Sequence, residues 1–222
     1  MPFIEHFTNT LDKNSDANNA AYMTDYMRGK FQYFGVKTAL RRDILKQVIA
    51  ENKVELNENI RKITLDLYKL PQRELHVSAT EIFEKHLRKT YLKEDIAIIE
   101  KLITQNSWWD TVDFIAKQIL GKYLLKYPEE IQKVISKFST SKNIWLNRST
   151  ILFQLGYKSN TNENLLFKQC EIHMHSEEFF IQKAIGWALR EYGKTNPESV
   201  LNFVNSTTLK PLSHREAIRN II

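Results

Sequence analysis

Apolar residues recur along the chain at the three- and four-residue spacing of amphipathic helices, without a long alternating pattern that would indicate a strand. Helix-stop residues such as Pro71, Pro128 and Pro211 separate the apolar segments, and the connections between them are short. Short connections favour antiparallel helix pairs, and no linker divides the sequence. The chain is therefore predicted to be all-α and to form one domain over residues 1–222. The predicted helices span residues 16–31, 38–52, 55–69, 72–88, 93–105, 109–126, 128–138, 143–157, 162–174, 178–194, 196–205 and 211–222.

A weak internal repeat organises the second half of the chain. Trp109, Trp145 and Phe180 begin similar helices, at offsets of 36 and 35 residues. A period near 36 with two helices per unit is typical of an α-solenoid, whose inner helices line a concave surface. Equivalent positions of successive inner helices should then point into one groove. Those positions are Asp113, Arg148 and Lys183.

The segment Ser107–Asp113 places two indoles and two carboxylates at the start of a predicted helix. Trp109 and Asp113 are four residues apart and therefore lie on one helical face. An aromatic ring beside a fixed anion suits a site that holds a cation. Alternatively, Asp110 and Asp113 are only favourable charges in the first turn of the helix.

The predicted helix over residues 178–194 has a basic stripe with one indole in it. Lys183, Trp187, Arg190 and Lys194 fall within about 60° of one another on a helical wheel. The opposite face is apolar. This pattern predicts a nucleic-acid-binding face with Trp187 directed away from the core, and a core tryptophan is the alternative.

Arg148 is a charged residue within the apolar stripe of its predicted helix. Arginine is seldom buried unless it is paired. One interpretation is an ion pair with a carboxylate of the neighbouring repeat, Asp113 or Asp110. The other is a bidentate contact with a phosphate at the end of the stripe.

Composition excludes several classes of protein. The chain of 222 residues has one cysteine, which rules out a disulfide framework and cysteine-based metal clusters. His173 and His175 are two residues apart, which separates them around a helix, so no metal site is predicted. The N-terminus lacks a secretory pattern and no apolar run is long enough for a membrane span, so a cytoplasmic protein is predicted. The formal net charge of +6 suits a polyanionic partner.

These motifs resemble those of the AlkD-type alkylpurine DNA glycosylases, which are bacterial DNA alkylation repair proteins built from HEAT-like helical repeats. The resemblance covers nearly the whole chain. It is carried by four segments that contain rare residues: Ser107–Asp113, Asn143–Arg148, Phe179–Trp187 and Pro211–Ile218.

The resemblance implies a monofunctional enzyme that binds duplex DNA in its groove, through the DNA backbone. It would hydrolyse the N-glycosidic bond of cationic alkylpurines, of the 3-methyladenine or 7-methylguanine type, without flipping the base into a pocket. Asp113 would be the catalytic carboxylate, Trp109 and Trp187 would pack against the deoxyribose, and Arg148 would lie in the same cleft. No cofactor or metal is implied, and a self-contained solenoid is expected to act as a monomer.

Basic residues complete the predicted DNA contacts. Lys183, Arg190 and Lys194 come from the basic stripe. Lys37 stands where members of the family often carry Gln-Thr-Pro, since this chain reads Gly35-Val36-Lys37-Thr38-Ala39. Lys37 is expected to reach a phosphate or to alter the contact with the opposite strand. The alternative function is a non-catalytic HEAT-like module that binds DNA or protein.

Overall fold

Helices form the regular secondary structure of residues 2–219, the part of the chain that the computed structural model describes. An isolated parallel bridge joins Gln32 and Gln72. The all-α fold class predicted from the sequence is therefore confirmed. The residues cluster into two compact units, Met1–Thr90 and Tyr91–Ile222.

The first unit is built from five helices over its described residues. They are α1 Phe3–Lys13, α2 Ala17–Tyr26, α3 Thr38–Glu51, α4 Lys53–Lys69 and α5 Arg73–Leu87.

The second unit contains the helices that carry most of the predicted site. Its longest helix, α7, is continuous but has a π-helical middle: it runs through Trp109–Phe114, the π segment Ile115–Leu120 and Gly121–Lys126. Short 3-10 turns at Pro128–Glu130 and Lys158–Asn160 lie between helices. The remaining helices are α6 Asp95–Thr104, α8 Ile131–Ser139, α9 Ile144–Leu152, α10 Glu163–His173, α11 Phe179–Gly193, α12 Pro197–Ser206 and α13 Pro211–Ile218.

Most predicted helices agree with the structure to within a few residues, and α1 was missed. Its signal was present in the sequence, because Phe3, Phe7 and Leu11 have four-residue spacing and are fully buried. Helix α2 ends earlier than predicted because Arg28 and Gly29 have positive φ angles of 57° and 70°. Helix α9 likewise ends at Leu152 rather than at residue 157. Residues 220–222 of the predicted last helix lie outside the described part.

The repeat seen in the sequence appears in the second unit as side-chain contacts between residues about 36 positions apart. The Tyr127 hydroxyl donates to the Tyr91 carbonyl and the Tyr157 hydroxyl donates to the Gly121 carbonyl, in both cases across 36 residues. The side chains of Arg148 and Asp113 pair across 35 residues. Each contact joins positions about one repeat apart, in helices or in the segments next to them, so stacked helix pairs give this unit its solenoid-like character.

The apolar face of α7 anchors the candidate site to the core. Val112, Ile115, Ile119 and Tyr123 have the three- and four-residue spacing of one helical face, and all four are fully buried. Among the helices of residues 2–219, none combines the length and the apolar composition needed to cross a bilayer.

Helices α11 and α13 approach each other closely at Gly186. A Cβ atom on Gly186 would lie 2.4 Å from the Cβ of Glu216 and 3.0 Å from the Ser213 carbonyl oxygen. We expect Gly186→Ala to lower the free energy of unfolding by roughly 1–3 kcal/mol, because the helices must separate. That loss should exceed the gain in helix propensity of up to about 1 kcal/mol. Urea unfolding measures it, and an unchanged midpoint would contradict this packing.

Candidate functional site

The start of α7 presents Trp109 and Asp113 on one helical face. Trp108 precedes the helix in an extended conformation, and Trp109 is the first helical residue. Asp113 is the fifth residue of α7, as Arg148 is of α9 and Lys183 is of α11. The three residues that the repeat made equivalent therefore occupy the same position in their helices. Trp109 and Asp113 are both half-buried.

Asp113 and Arg148 form a bidentate ion pair at the junction of α7 and α9. The Arg148 Nε donates to Asp113 Oδ1 at 2.7 Å, and Nη2 donates to Oδ2 at 2.9 Å. The remaining Nη1 donates to the backbone carbonyl of Phe180, in the first turn of α11. Arg148 is only 4% exposed. Of the two interpretations of this buried arginine, the structure shows the ion pair, in which all three guanidinium nitrogens have protein acceptors.

Burial raises the pKa of Asp113, and the nearby charge of Asp110 raises it further. The hydrogen bonds and the positive charge of Arg148 oppose this rise in pKa. Because the arginine favours the ionised carboxylate, we expect Asp113 to be an anion at neutral pH. The Asp113 carboxylate thus carries its negative charge in a partly desolvated position, where water screens its field less than at the surface and Arg148 offsets part of that field.

An aromatic cluster of Trp108, Trp145 and Phe180 fixes the starts of α7, α9 and α11. The Trp108 ring centroid lies 5.6 Å from that of Trp145 and 5.0 Å from that of Phe180. Trp145 and Phe180 are 5.1 Å apart. Trp109, Trp145 and Phe180 all lie in the first turn of their helices, as the repeat predicted. The residue before Trp109, Trp108 in the extended segment that precedes α7, contacts the Trp145 and Phe180 rings.

Two of the predicted DNA-contacting cations share one carboxylate. Lys183 Nζ lies 3.0 Å from a carboxylate oxygen of Glu216, and Arg190 Nη1 lies 2.6 Å from the other. Arg190 also donates to the Glu216 backbone carbonyl at 2.9 Å. Lys194, which is exposed, pairs with Glu191 at 2.6 Å.

Trp187 lies between Lys183 and Arg190 on α11, but it does not point wholly away from the core. It is half-buried, and part of its surface packs against the apolar cluster that joins α9, α11 and α13. A helical wheel could not show this, because burial also depends on the helices that pack against α11, as α13 does at Gly186.

Lys37 belongs to the first unit and is exposed immediately before α3. The loop that leads to it is held by Glu74, which accepts hydrogen bonds from the backbone N–H groups of Gly35 at 2.9 Å and Val36 at 3.2 Å. Gly35 has a φ of +84°, and an added Cβ would lie 2.0 Å from the Asp16 carbonyl oxygen. The backbone before Lys37 is therefore fixed by a buried carboxylate and a required glycine.

Trp108, Phe180 and Glu216 belong to the surroundings of the site and were not predicted to do so. A signal existed for Glu216, because it follows Lys183 by 33 residues, close to the repeat period. Phe180 contributes through its backbone carbonyl, which no side-chain pattern reveals. Within residues 2–219, no group of three or more His, Cys, Asp or Glu side chains is placed to hold a metal ion.

Comparisons with known proteins agree with these features. The sequence model of the DNA alkylation repair enzyme family matches residues 7–221. A solved structure described as a predicted DNA alkylation repair enzyme from Enterococcus faecalis is 30% identical in sequence, with a TM-score of 0.85. That alignment covers 93% of this chain and 96% of the other.

A second solved structure is similar in fold alone. The smu.31 protein from Streptococcus mutans UA159 is 16% identical, with a TM-score of 0.62, over 80% of this chain and 91% of the other. Sequence comparison with functionally curated proteins finds no significant match.

Proposed function

Because the chain belongs to the DNA alkylation repair enzyme family, we propose that it is a DNA glycosylase for cationic alkylated purines in duplex DNA. It would hydrolyse the bond between the base and the deoxyribose, with 3-methyladenine and 7-methylguanine as representative substrates. The observation that carries the proposal is the partly buried carboxylate of Asp113, held by Arg148 one helical turn after Trp109. Pairing with the buried Arg148 would not by itself require Asp113 to stay partly exposed, as it is.

The charge of the substrate decides what the enzyme must supply. Alkylation at N3 of adenine or N7 of guanine leaves a positive charge on the base, so the base departs with the bonding electron pair and becomes neutral. No general acid is needed. The sugar is left as an oxocarbenium-like cation, and a carboxylate beside it lowers the energy of that state.

Asp113 is proposed to act in two ways. Its negative charge stabilises the developing sugar cation, and it accepts a proton from the water that attacks C1′. The products are a free base and an abasic site, with the proton passed from Asp113 to solvent. Because each carboxylate oxygen has two lone pairs, the bidentate contact with Arg148 leaves acceptor capacity for the water.

The indoles and the arginine have supporting roles in the proposal. Trp109 and Trp187 would pack against the deoxyribose and add a cation–π attraction of about 0.5–2 kcal/mol each when desolvated. Arg148 cannot stabilise a cation itself, and its three hydrogen bonds suit the orientation of Asp113 better than the clamping of a phosphate. Activation by the charge of the base itself requires no enclosed pocket, which fits a mechanism without base flipping. We expect the protein to act as a monomer in the cytoplasm, without metal or cofactor.

The direct test is release of free base from duplex DNA that contains 7-methylguanine, detected by mass spectrometry. We expect time-dependent release of 7-methylguanine and no release of unmodified guanine, because a neutral purine is a poor leaving group. DNA binding that weakens steeply with salt, without release of either base, would contradict the glycosylase and favour a non-catalytic DNA-binding module. Binding that is insensitive to salt would favour a protein partner.

A further inference from the structure

Glu216 is a buried carboxylate that the proposed chemistry does not use. It lies on α13 and is 8% exposed. One carboxylate oxygen contacts Lys183 and the other contacts Arg190, at 3.0 and 2.6 Å. Arg219 lies at 4.0 Å and is itself well exposed. Lys183 and Arg190 lower the pKa of Glu216, so it is ionised at neutral pH.

The two cations that Glu216 holds stand on either side of Trp187. Lys183 precedes Trp187 by four residues and Arg190 follows it by three, so all three side chains share one face of α11. Gly186 lets α13 approach this face, because a side chain there would collide with the Cβ of Glu216. The close packing therefore places one carboxylate beside both cations that flank the indole.

Uncompensated cations beside Trp187 would act against the reaction. The transition state carries positive charge on the sugar, and each nearby positive charge raises its energy. The same cations, if free, would bind phosphate and tighten the hold on any DNA. A carboxylate that pairs with both cations therefore lowers the energy of the transition state and weakens the affinity for DNA.

We propose that Glu216 restrains Lys183 and Arg190 and thereby favours catalysis over DNA affinity at this site, an inference that rests on the proposed glycosylase function. Glu216 is a positioning residue, because it acts through the two cations and not on the substrate. With one carboxylate between Lys183 and Arg190, the trio carries a net charge of about +1, and loss of the carboxylate leaves about +2.

Glu216→Gln tests this directly, since glutamine keeps the size of the side chain and a hydrogen-bond acceptor. We expect the single-turnover rate of 7-methylguanine release to fall about tenfold, the scale of one extra charge near the reacting sugar. Affinity for undamaged duplex DNA should rise, with a salt dependence of log Kd steeper by about one. A purely structural role would lower rate and affinity together, so the opposite signs are the diagnostic result.

A double variant and a matched control complete the experiment. Adding Lys183→Gln to Glu216→Gln restores a net charge of about +1 and should return both rate and affinity toward wild type. Glu177, just before α11, pairs with Lys210. Glu177→Gln removes this carboxylate and should change neither the rate of base release nor the DNA affinity. Thermal unfolding of each variant checks that it is folded.

The outcomes separate this inference from the function on which it rests. If Glu216→Gln leaves the rate of release unchanged, or lowers both rate and affinity, the role of Glu216 is overturned while the glycosylase stands. If the wild-type protein releases no base, the glycosylase is overturned. In that event, unchanged DNA affinity in Glu216→Gln would also overturn the restraint of the two cations.

Discussion

Replacing Asp113 with asparagine is expected to reduce release of 7-methylguanine by about 10²- to 10⁴-fold. Asparagine keeps the shape of the side chain but removes the negative charge and cannot accept the proton of the attacking water. Both proposed roles of Asp113 are therefore lost at once. Single-turnover release from duplex DNA measures the effect on chemistry without interference from product release.

DNA affinity should survive this substitution. We expect Asp113→Asn to bind duplex DNA at least as tightly as the wild type, because one negative charge has been removed from the proposed DNA-binding surface. Asp110→Asn is the matched control, since Asp110 lies in the first turn of the same helix, and it should retain release at neutral pH. Equal release by the wild type and Asp113→Asn would leave the enzyme but refute the role of Asp113.

Replacing Arg148 with glutamine should damage both stability and activity. Arg148 is 4% exposed and donates both hydrogen bonds of the bidentate pair with Asp113. Removal of one partner leaves the other charge partly buried and unpaired, at a cost on the order of 3–5 kcal/mol. The Phe180 carbonyl also loses its contact with Arg148. Urea unfolding at neutral pH should show this loss.

The pH dependence of Arg148→Gln distinguishes an electrostatic effect from general damage. Arg148 opposes the elevation of the Asp113 pKa, so its loss should raise that pKa further. Since the proposed mechanism needs the ionised carboxylate, the acidic limb of the pH–rate profile should move to higher pH. Asp110 raises the same pKa, and Asp110→Asn should therefore move the limb to lower pH. Identical limbs in all three proteins would contradict the electrostatic role of both residues.

The loss of folding stability caused by Arg148→Gln should become smaller as the pH falls. A carboxyl group whose pKa is higher in the folded than in the unfolded state destabilises the fold where it is ionised. The penalty is fully present above the folded pKa and is relieved as pH falls through that pKa toward the unfolded value. The stability difference between Arg148→Gln and the wild type should therefore narrow on acidification, and a constant difference would point to packing alone.

Much of the fold could be read from the sequence because helical periodicity is a local property. The spacing of Val112, Ile115, Ile119 and Tyr123 is that of one helical face, which is the buried face of α7. Proline or glycine marked some helix boundaries, such as those at Pro71, Gly193 and Pro211. The period near 36 correctly placed Asp113, Arg148 and Lys183 at the same position of their helices. Helix α1 was missed although Phe3, Phe7 and Leu11 carried its signal.

What each side chain touches was decided by the tertiary structure. The sequence left Arg148 between an ion pair and a phosphate contact, and only the stacking of α9 on α7 brought its guanidinium to Asp113. The approach of α13 at Gly186 gave Lys183 and Arg190 the carboxylate of Glu216. Trp187, on the same face, packs partly against the apolar core. Periodicity fixes which residues share a face, since that depends on neighbours three and four positions away. The charge partner of a residue depends on how distant helices pack, and that packing decided the electrostatics of this site.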